Sequence, residues 1–183
     1  MKSKKRIIGV VPLGDVPELA PKVIVGHIIG YFKLAAEILP PLDSPVVAFD
    51  KIHRQYNAAV ILSLFESGSY DRYDKVIGVF NGDLFIPTFA YVFGEAQQGG
   101  KHALVSLFRL RMEKEGAPLP CAALCERAAK VALHELGHLY NLFHCEDQKC
   151  LMHYSGGLAD LDKIPLYFCR YCNTYLADAL RSP

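Results

Sequence analysis

The strongest constraint on this chain is the clustering of its metal-binding residue types. All six cysteines lie in the last third, at positions 121, 125, 145, 150, 169 and 172. Four of the seven histidines, at 134, 138, 144 and 153, lie in the same region. Cysteine and histidine at such spacings are typical of metal sites, and a bound metal restricts how the surrounding chain folds.

His134, Glu135 and His138 form an H-E-x-x-H pattern in the segment with the clearest helical period. Between Cys121 and Tyr140, small and apolar residues recur every three or four positions, which predicts a helix with one apolar face. Side chains four residues apart lie one turn above each other on a helix, so both imidazoles can bind one metal ion. Glu135 lies about 100° around the helix from His134, where a carboxylate can accept a proton from a water at the metal.

His144 follows ten residues after His134 and supplies a third nitrogen. Three histidines leave a tetrahedral zinc ion one position for water, as in catalytic zinc sites. The alternative is a chance match on a surface helix, which the third histidine makes much rarer. For His144 to reach the same metal, the chain must turn back after His138 through a left-handed residue, and Asn141 is the most tolerant type after glycine.

A second metal site is predicted from four later cysteines. Cys145 and Cys150 are separated by four residues, and Cys169 and Cys172 by two. Such pairs are typical of a closed structural zinc site with four thiolates. Two disulfides or four buried thiols are the alternatives, and a reducing compartment argues against disulfides. Residues 142–183 are too few to hold a core unaided, so this zinc is expected to shape the floor of the first site.

Composition excludes several classes of protein. With 183 residues, 51% hydrophobic and 21% charged, the chain can bury a core. A net charge of +1 provides no attraction for nucleic acid or an anionic membrane. No uncharged run is longer than the eleven residues of 84–94, which is too short to span a bilayer, and no signal-peptide segment follows the basic N-terminus. We therefore expect a cytoplasmic monomer that binds neither nucleic acid nor membrane.

The remaining pattern predicts alternating strands and helices. Expected elements are strands at 7–13, 75–80, 89–93 and 103–108, the last two paired as a hairpin, helices at 18–36 and 54–65, an edge or loop segment at 38–47 and a loop at 113–120. This order predicts an α+β fold with helices packed on a mixed β-sheet. We expect a single domain over residues 1–183. Its N-terminal lobe, 1–141, would end in the active-site helix, and a small zinc-stapled C-terminal lobe would comprise 142–183. Cys121 and Cys125 are expected to be buried on the apolar face of that helix.

The motif His134-Glu135-x-x-His138-x-x-Asn141-x-x-His144, followed by Met152, resembles that of the metzincin metallopeptidases. Their pattern is H-E-x-x-H-x-x-G-x-x-H and then a methionine turn, so Asn141 in place of glycine is the one departure. The four-cysteine run is similar to that of the archaemetzincins, a small intracellular branch. Further segments similar to that branch are Pro12-Leu13-Gly14, Arg54-Gln55-Tyr56, Phe93-Gly94-Glu95-Ala96 and Ser106-Leu107-x-Arg109-Leu110.

The resemblance implies a metzincin-like fold, two zinc ions (one catalytic, one structural) and hydrolysis of peptide bonds. Met152 would lie in a tight turn beneath the three histidines. Tyr154 would either stabilise the oxyanion or simply pack with an exposed hydroxyl. A peptide substrate would lie extended and antiparallel to an edge strand, for which residues 89–94 match best, although this segment reads equally well as an ordinary sheet edge.

Substrate preference is open at this point. Short peptides are expected, cleaved by an aminopeptidase-like or small-substrate endopeptidase activity. An aminopeptidase needs an acidic group for the substrate amine, and Asp83, Glu95 and Asp147 are unranked candidates. The alternative function is a zinc-binding metzincin-fold protein without peptidase turnover, acting in interaction or metal handling.

Overall fold

The computed structural model describes residues 6–112 and 120–181 of the chain. The strands are β1 (Ile7–Leu13), β2 (Ala35–Ile38), β3 (Phe49–Asp50), β4 (Gln55–Asn57), β5 (Lys75–Phe80), β6 (Leu84–Ile86), β7 (Phe89–Val92), β8 (Gly94–Ala96) and β9 (His102–Ser106). The α-helices are α1 (Leu19–Phe32), α2 (Ala58–Glu66), α3 (Cys121–Leu139), α4 (Leu158–Lys163) and α5 (Arg170–Arg181). The predicted α+β class, with helices on a mixed sheet, is confirmed.

The main sheet has the strand order β2-β1-β5-β9-β8. Its first four strands are parallel, and β8 runs antiparallel to β9 at the edge. Both faces are covered, which explains why the central strands β1, β5 and β9 are mostly apolar on both sides. In β5, Ile77 and Val79 pack towards α1 and α3, whereas Val76 and Phe80 pack towards α2.

Two predicted boundaries in the N-terminal part were wrong. The helix expected at 18–36 ends at Phe32, because Lys33 takes a left-handed conformation (φ 56°), and β2 follows at the edge of the sheet. The helix expected from residue 54 begins at Ala58, because Asn57 caps it by accepting a hydrogen bond from the backbone N–H of Ala59 (3.0 Å). Residues 55–57 form β4 instead, in a small second sheet of order β3-β4-β6-β7.

The predicted hairpin is present but displaced along the chain. Residues 89–92 form β7, which pairs with β6 in the small sheet. The chain then passes to the main sheet, where β8 and not β7 is the partner of β9. As a result, β8 provides the edge of the main sheet, and it lies against α3.

The long helix α3 is buried around most of its circumference, because the sheet and α1 cover one side and the C-terminal segment covers another. Arg127 forms a two-point ion pair with Asp162 just after the first turn of α4, both contacts at 2.7 Å. Cys125 is buried as predicted, but Cys121 is exposed, because it begins the helix beyond the edge of the core.

Two sequence expectations concern the limits of the described chain. The loop predicted at 113–120 lies, except for Pro120, outside the described residues. Within residues 6–112 and 120–181, no helix combines the length and apolar character that crossing a membrane requires.

Candidate active site

The three predicted histidine ligands converge at one point. Their nearest ring nitrogens all lie within 4.8 Å of one another. His134 and His138 present their Nε2 atoms 3.0 Å apart from successive turns of α3. The ring of His144 lies 5.2 Å from that of His134 and 4.9 Å from that of His138, measured between centroids.

The turn that returns His144 to the helix is built as the sequence predicted. Asn141 is left-handed, with φ 68°, and the N–H of Leu142 donates to the carbonyl of Gly137 at 3.0 Å. The Asn141 side chain accepts a hydrogen bond from Gln98 Nε2 (3.3 Å), which also donates to the carbonyl of Leu142 (3.1 Å). Asn141 therefore adopts the left-handed backbone conformation that glycine would adopt, and its side chain also forms a hydrogen bond with the loop between β8 and β9.

The hydrogen bonds of the first two histidines decide which nitrogen is free for a metal. His134 Nδ1 lies 2.8 Å from the carbonyl of Leu151, and His138 Nδ1 lies 2.8 Å from that of Leu142. A carbonyl oxygen only accepts, so both Nδ1 atoms carry the proton and both Nε2 atoms present a lone pair. Two lone pairs facing each other at 3.0 Å repel unless a cation lies beside them. This donor set fits a zinc ion.

Burial keeps these imidazoles neutral. It lowers the pKa of His134 to about 3, with repulsion from His138 as a second cause. Burial likewise lowers the pKa of His138 and of His144. Neutral imidazole is the form that binds metal, so the triad is ready for a cation across the whole neutral pH range.

Glu135 is buried under the edge strand β8. A Cβ atom on Gly94 would lie 2.7 Å from its Oε1, so the glycine makes room for this carboxylate. Burial raises the pKa of Glu135 well above its ordinary value, and Glu95 raises it further. A divalent cation at the neighbouring histidines would act in the opposite direction and favour the ionised form.

Met152 lies within the turn that follows His144, and Tyr154 comes directly after that turn. Met152 is fully buried against α3, where a Cβ atom on Gly137 would lie 2.5 Å from its Sδ. Its neighbour Leu151 accepts the hydrogen bond that orients His134. Tyr154 is half exposed, with its ring 5.4 Å from that of His144.

The four later cysteines form a second cluster directly behind this turn. The Sγ atoms of Cys145, Cys150, Cys169 and Cys172 lie within 4.8 Å of one another, and none of these residues is in a disulfide. The N–H of Cys145 donates to the carbonyl of Met152 (2.8 Å). The cluster thus closes the loop that carries the methionine.

A cleft of about 380 Å³ runs past the histidines along β8. The three candidate anchors for a substrate amine have different surroundings in the structure. Asp83 forms an ion pair with Arg109, with contacts at 2.6 and 2.7 Å, and Asp147 accepts a hydrogen bond from a backbone N–H in an exposed turn. Glu95 lines the cleft, and burial raises its pKa. Sequence reasoning missed the lining residues Tyr91, Gln98 and Lys130, which belong to no motif.

The sequence model of peptidase family M54 matches residues 28–178. This chain belongs to peptidase family M54. It is 36% identical to the archaemetzincin of Methanocaldococcus jannaschii over 170 residues, covering 91% of this chain and 90% of that protein. It is 33% identical to the archaemetzincin of Thermococcus kodakarensis over 178 residues, covering 93% and 95%. The prediction of an archaemetzincin, and with it a zinc metallopeptidase, is confirmed.

Solved structures agree with this assignment to M54. The crystal structure of archaemetzincin from Methanopyrus kandleri superposes with a TM-score of 0.87 at 28% identity, covering 100% of this chain and 99% of that one. The Archaeoglobus fulgidus archaemetzincin, crystallised with malonate, superposes with a TM-score of 0.79 at 30% identity, covering 92% and 99%. This chain therefore has the fold of these archaemetzincins.

Proposed function

We propose that this peptidase hydrolyses short peptides at a zinc ion held by His134, His138 and His144, with Glu135 as general base and then general acid. One observation carries the proposal: a buried carboxylate lies on the same helix as two imidazoles whose free lone pairs converge. A protein that only stores metal has no use for a buried carboxylate beside its ligands.

In this mechanism the residues of the chain handle the protons. Zinc, when bound, polarises the scissile carbonyl and acidifies the attacking water. Glu135 accepts a proton from that water and returns it to the leaving nitrogen. Leu151 and Leu142 hold the proton-bearing nitrogens of His134 and His138, so that the rings do not rotate during turnover.

The free edge of β8 is the proposed docking strand. Ser106 N–H donates to the Phe93 carbonyl, and Gln97 N–H donates to the His102 carbonyl. Along an antiparallel pair, residues whose backbone N–H and C=O groups point toward the partner strand alternate with residues whose groups point away from it. Gly94 and Ala96 therefore direct their N–H and C=O groups away from β9. An extended peptide can add there as a further strand, and antiparallel pairing is the more stable choice.

The four-cysteine cluster is proposed to hold a second, structural zinc ion, which would stabilise the lobe after residue 141. Four thiolates leave no position for water, so this ion would take no part in the reaction. This ion would affect the histidine site through Cys145, which adjoins His144 and whose backbone N–H donates a hydrogen bond to the carbonyl of Met152.

One substitution distinguishes the two roles considered for Tyr154, oxyanion stabilisation and packing. If its hydroxyl stabilises the oxyanion, Tyr154→Phe should lower kcat by about 10²-fold while KM changes little. If the residue only packs, kcat should be unaffected. Steady-state kinetics on one cleaved peptide makes the distinction.

The general-base assignment is tested with Glu135→Gln. Zinc-loaded wild type and variant are incubated with a panel of short peptides, and products are identified by mass spectrometry. Glu18→Gln, an exposed surface change, is the matched control. We expect Glu135→Gln to keep its zinc and lose at least about 10²-fold in kcat. Equal rates for wild type and variant would instead favour a zinc-binding protein without turnover.

A further inference from the structure

A hydrogen bond joins two segments that line the cleft. The hydroxyl of Tyr91, in β7, donates to the carbonyl of Gly156, in the loop after the methionine turn, at 3.2 Å. The two residues are 65 positions apart in sequence, and both line the cleft. Beside this contact the rings of Phe89 and Tyr154 approach to 6.3 Å, from the same two segments. The two walls of the cleft therefore meet here.

Tyr91 is held in this position by residues that do not line the cleft. The Arg109 guanidinium lies 4.1 Å from the centre of the Tyr91 ring. Arg109 is itself fixed by two bonds to Asp83, at 2.6 and 2.7 Å. Gln55 then donates both to Asp83 (3.0 Å) and to the carbonyl of Ala90 (2.9 Å), next to Tyr91. The tyrosine is thus oriented before any peptide binds.

The position of the contact along the cleft follows from the direction of β8. Gly94 lies over Glu135, and Gly99 N–H donates to the carbonyl of His138 (2.9 Å). The chain from 94 to 99 therefore runs in the same direction as α3, and Tyr91 lies on the side of the earlier turns of α3. Tyr91 is three positions before Gly94, which along the chain is at most roughly 10 Å.

We propose that the Tyr91–Gly156 hydrogen bond limits how much peptide fits on one side of the scissile bond, to about three residues at 3.3 Å each. This inference rests on the proposed function. For a peptide antiparallel to β8, the limited side is the one carboxyl-terminal to the scissile bond. The substrate class is then peptides cut within about three residues of their C-terminus, a count set by the same strand spacing.

The test uses Tyr91→Phe, which removes the hydroxyl and keeps the ring on Arg109. Peptides share one cleavage site and carry between one and eight residues after it. Wild type should cleave the longest at least tenfold less efficiently than the three-residue member, by kcat/KM. Tyr91→Phe should raise the long-to-short ratio at least fivefold. Tyr175→Phe, an exposed tyrosine on α5, is the matched control and should leave the ratio unchanged.

In the kinetic test, two results would overturn the inference: a wild type that accepts long and short members equally, or a Tyr91→Phe variant with the wild-type ratio. A binding measurement separates this failure from that of the proposed function. Fluorescein-labelled peptides of the same series are titrated into zinc-loaded Glu135→Gln protein, with and without Tyr91→Phe, and followed by anisotropy. If affinity depends on peptide length and Tyr91→Phe removes that dependence, the inference is supported even when no peptide is cleaved. If affinity does not depend on peptide length, the inference is contradicted.

Discussion

A methyl group at Gly94 should disable the proposed general base, Glu135, without contacting a proposed metal ligand. The added Cβ would lie 2.7 Å from Glu135 Oε1 and 2.8 Å from the carbonyl oxygen of Leu104. Both approaches are closer than side chains adopt. Leu104 lies in β9, paired on both sides within the sheet, so its backbone does not yield. The strain therefore falls on Glu135 and on the edge strand.

The expected magnitude of Gly94→Ala follows from these contacts. Overpacking of this kind costs about 1–3 kcal/mol, which lowers Tm by roughly 2–4 °C per kcal/mol in a domain of this size. Displacing a catalytic group by about 1 Å can cost about 10²-fold in rate. We therefore expect Gly94→Ala to fold, to bind zinc and to lose about 10²-fold in kcat/KM.

The assay compares zinc content, thermal unfolding and peptide hydrolysis for wild type, Gly94→Ala and Gly26→Ala. Gly26 lies on α1, and nothing is within 4 Å of a Cβ atom added there. Because alanine favours a helix over glycine, Gly26→Ala should stabilise the protein by about 0.5–1 kcal/mol. Wild-type kcat/KM in Gly94→Ala would refute the steric argument, and so would an equal loss in both variants.

Substitutions at three further positions test the rest of the structure. Cys169→Ser should lower zinc content by one ion per chain and reduce both Tm and peptidase activity, because the cluster supports the turn at Met152; full activity with a normal Tm would contradict this. Asn141→Ala should destabilise by about 1 kcal/mol, since alanine lacks asparagine's tolerance of left-handed φ, whereas Asn141→Gly should be near neutral in urea unfolding. Burial lowers the pKa of His102, so the native state disfavours its protonation, and stability should fall as pH drops below about 6.5, where the unfolded chain takes up the proton. His102→Phe should flatten that acid limb, and an unchanged limb would exclude His102 as its source.

The convergence of the three histidines was predictable because each step is local. His134 and His138 are separated by one helical turn, and Asn141 tolerates the left-handed backbone that returns the chain to the site. The four cysteines were grouped by spacing alone, and the structure brings their sulfur atoms together.

Contacts between distant segments had no local signal. Residues 89–93 read as one strand, but the chain leaves the small sheet and enters the main sheet at Phe93 without any turn residue. Tyr91 and Gly156 meet only through the tertiary fold. Asn57 is different, because its strong N-cap preference is a local signal; the prediction of a helix from residue 54 did not use it, and the structure begins α2 directly after it.

The central claim is that three imidazoles hold one zinc ion and leave a position for water. Anomalous scattering at the zinc edge, recorded from crystals of zinc-loaded protein, tests it most directly. We predict one peak between His134, His138 and His144 with a side open to the cleft, and a second among the four cysteines. An absent histidine peak, or a fourth side chain permanently occupying its open side, would contradict the account.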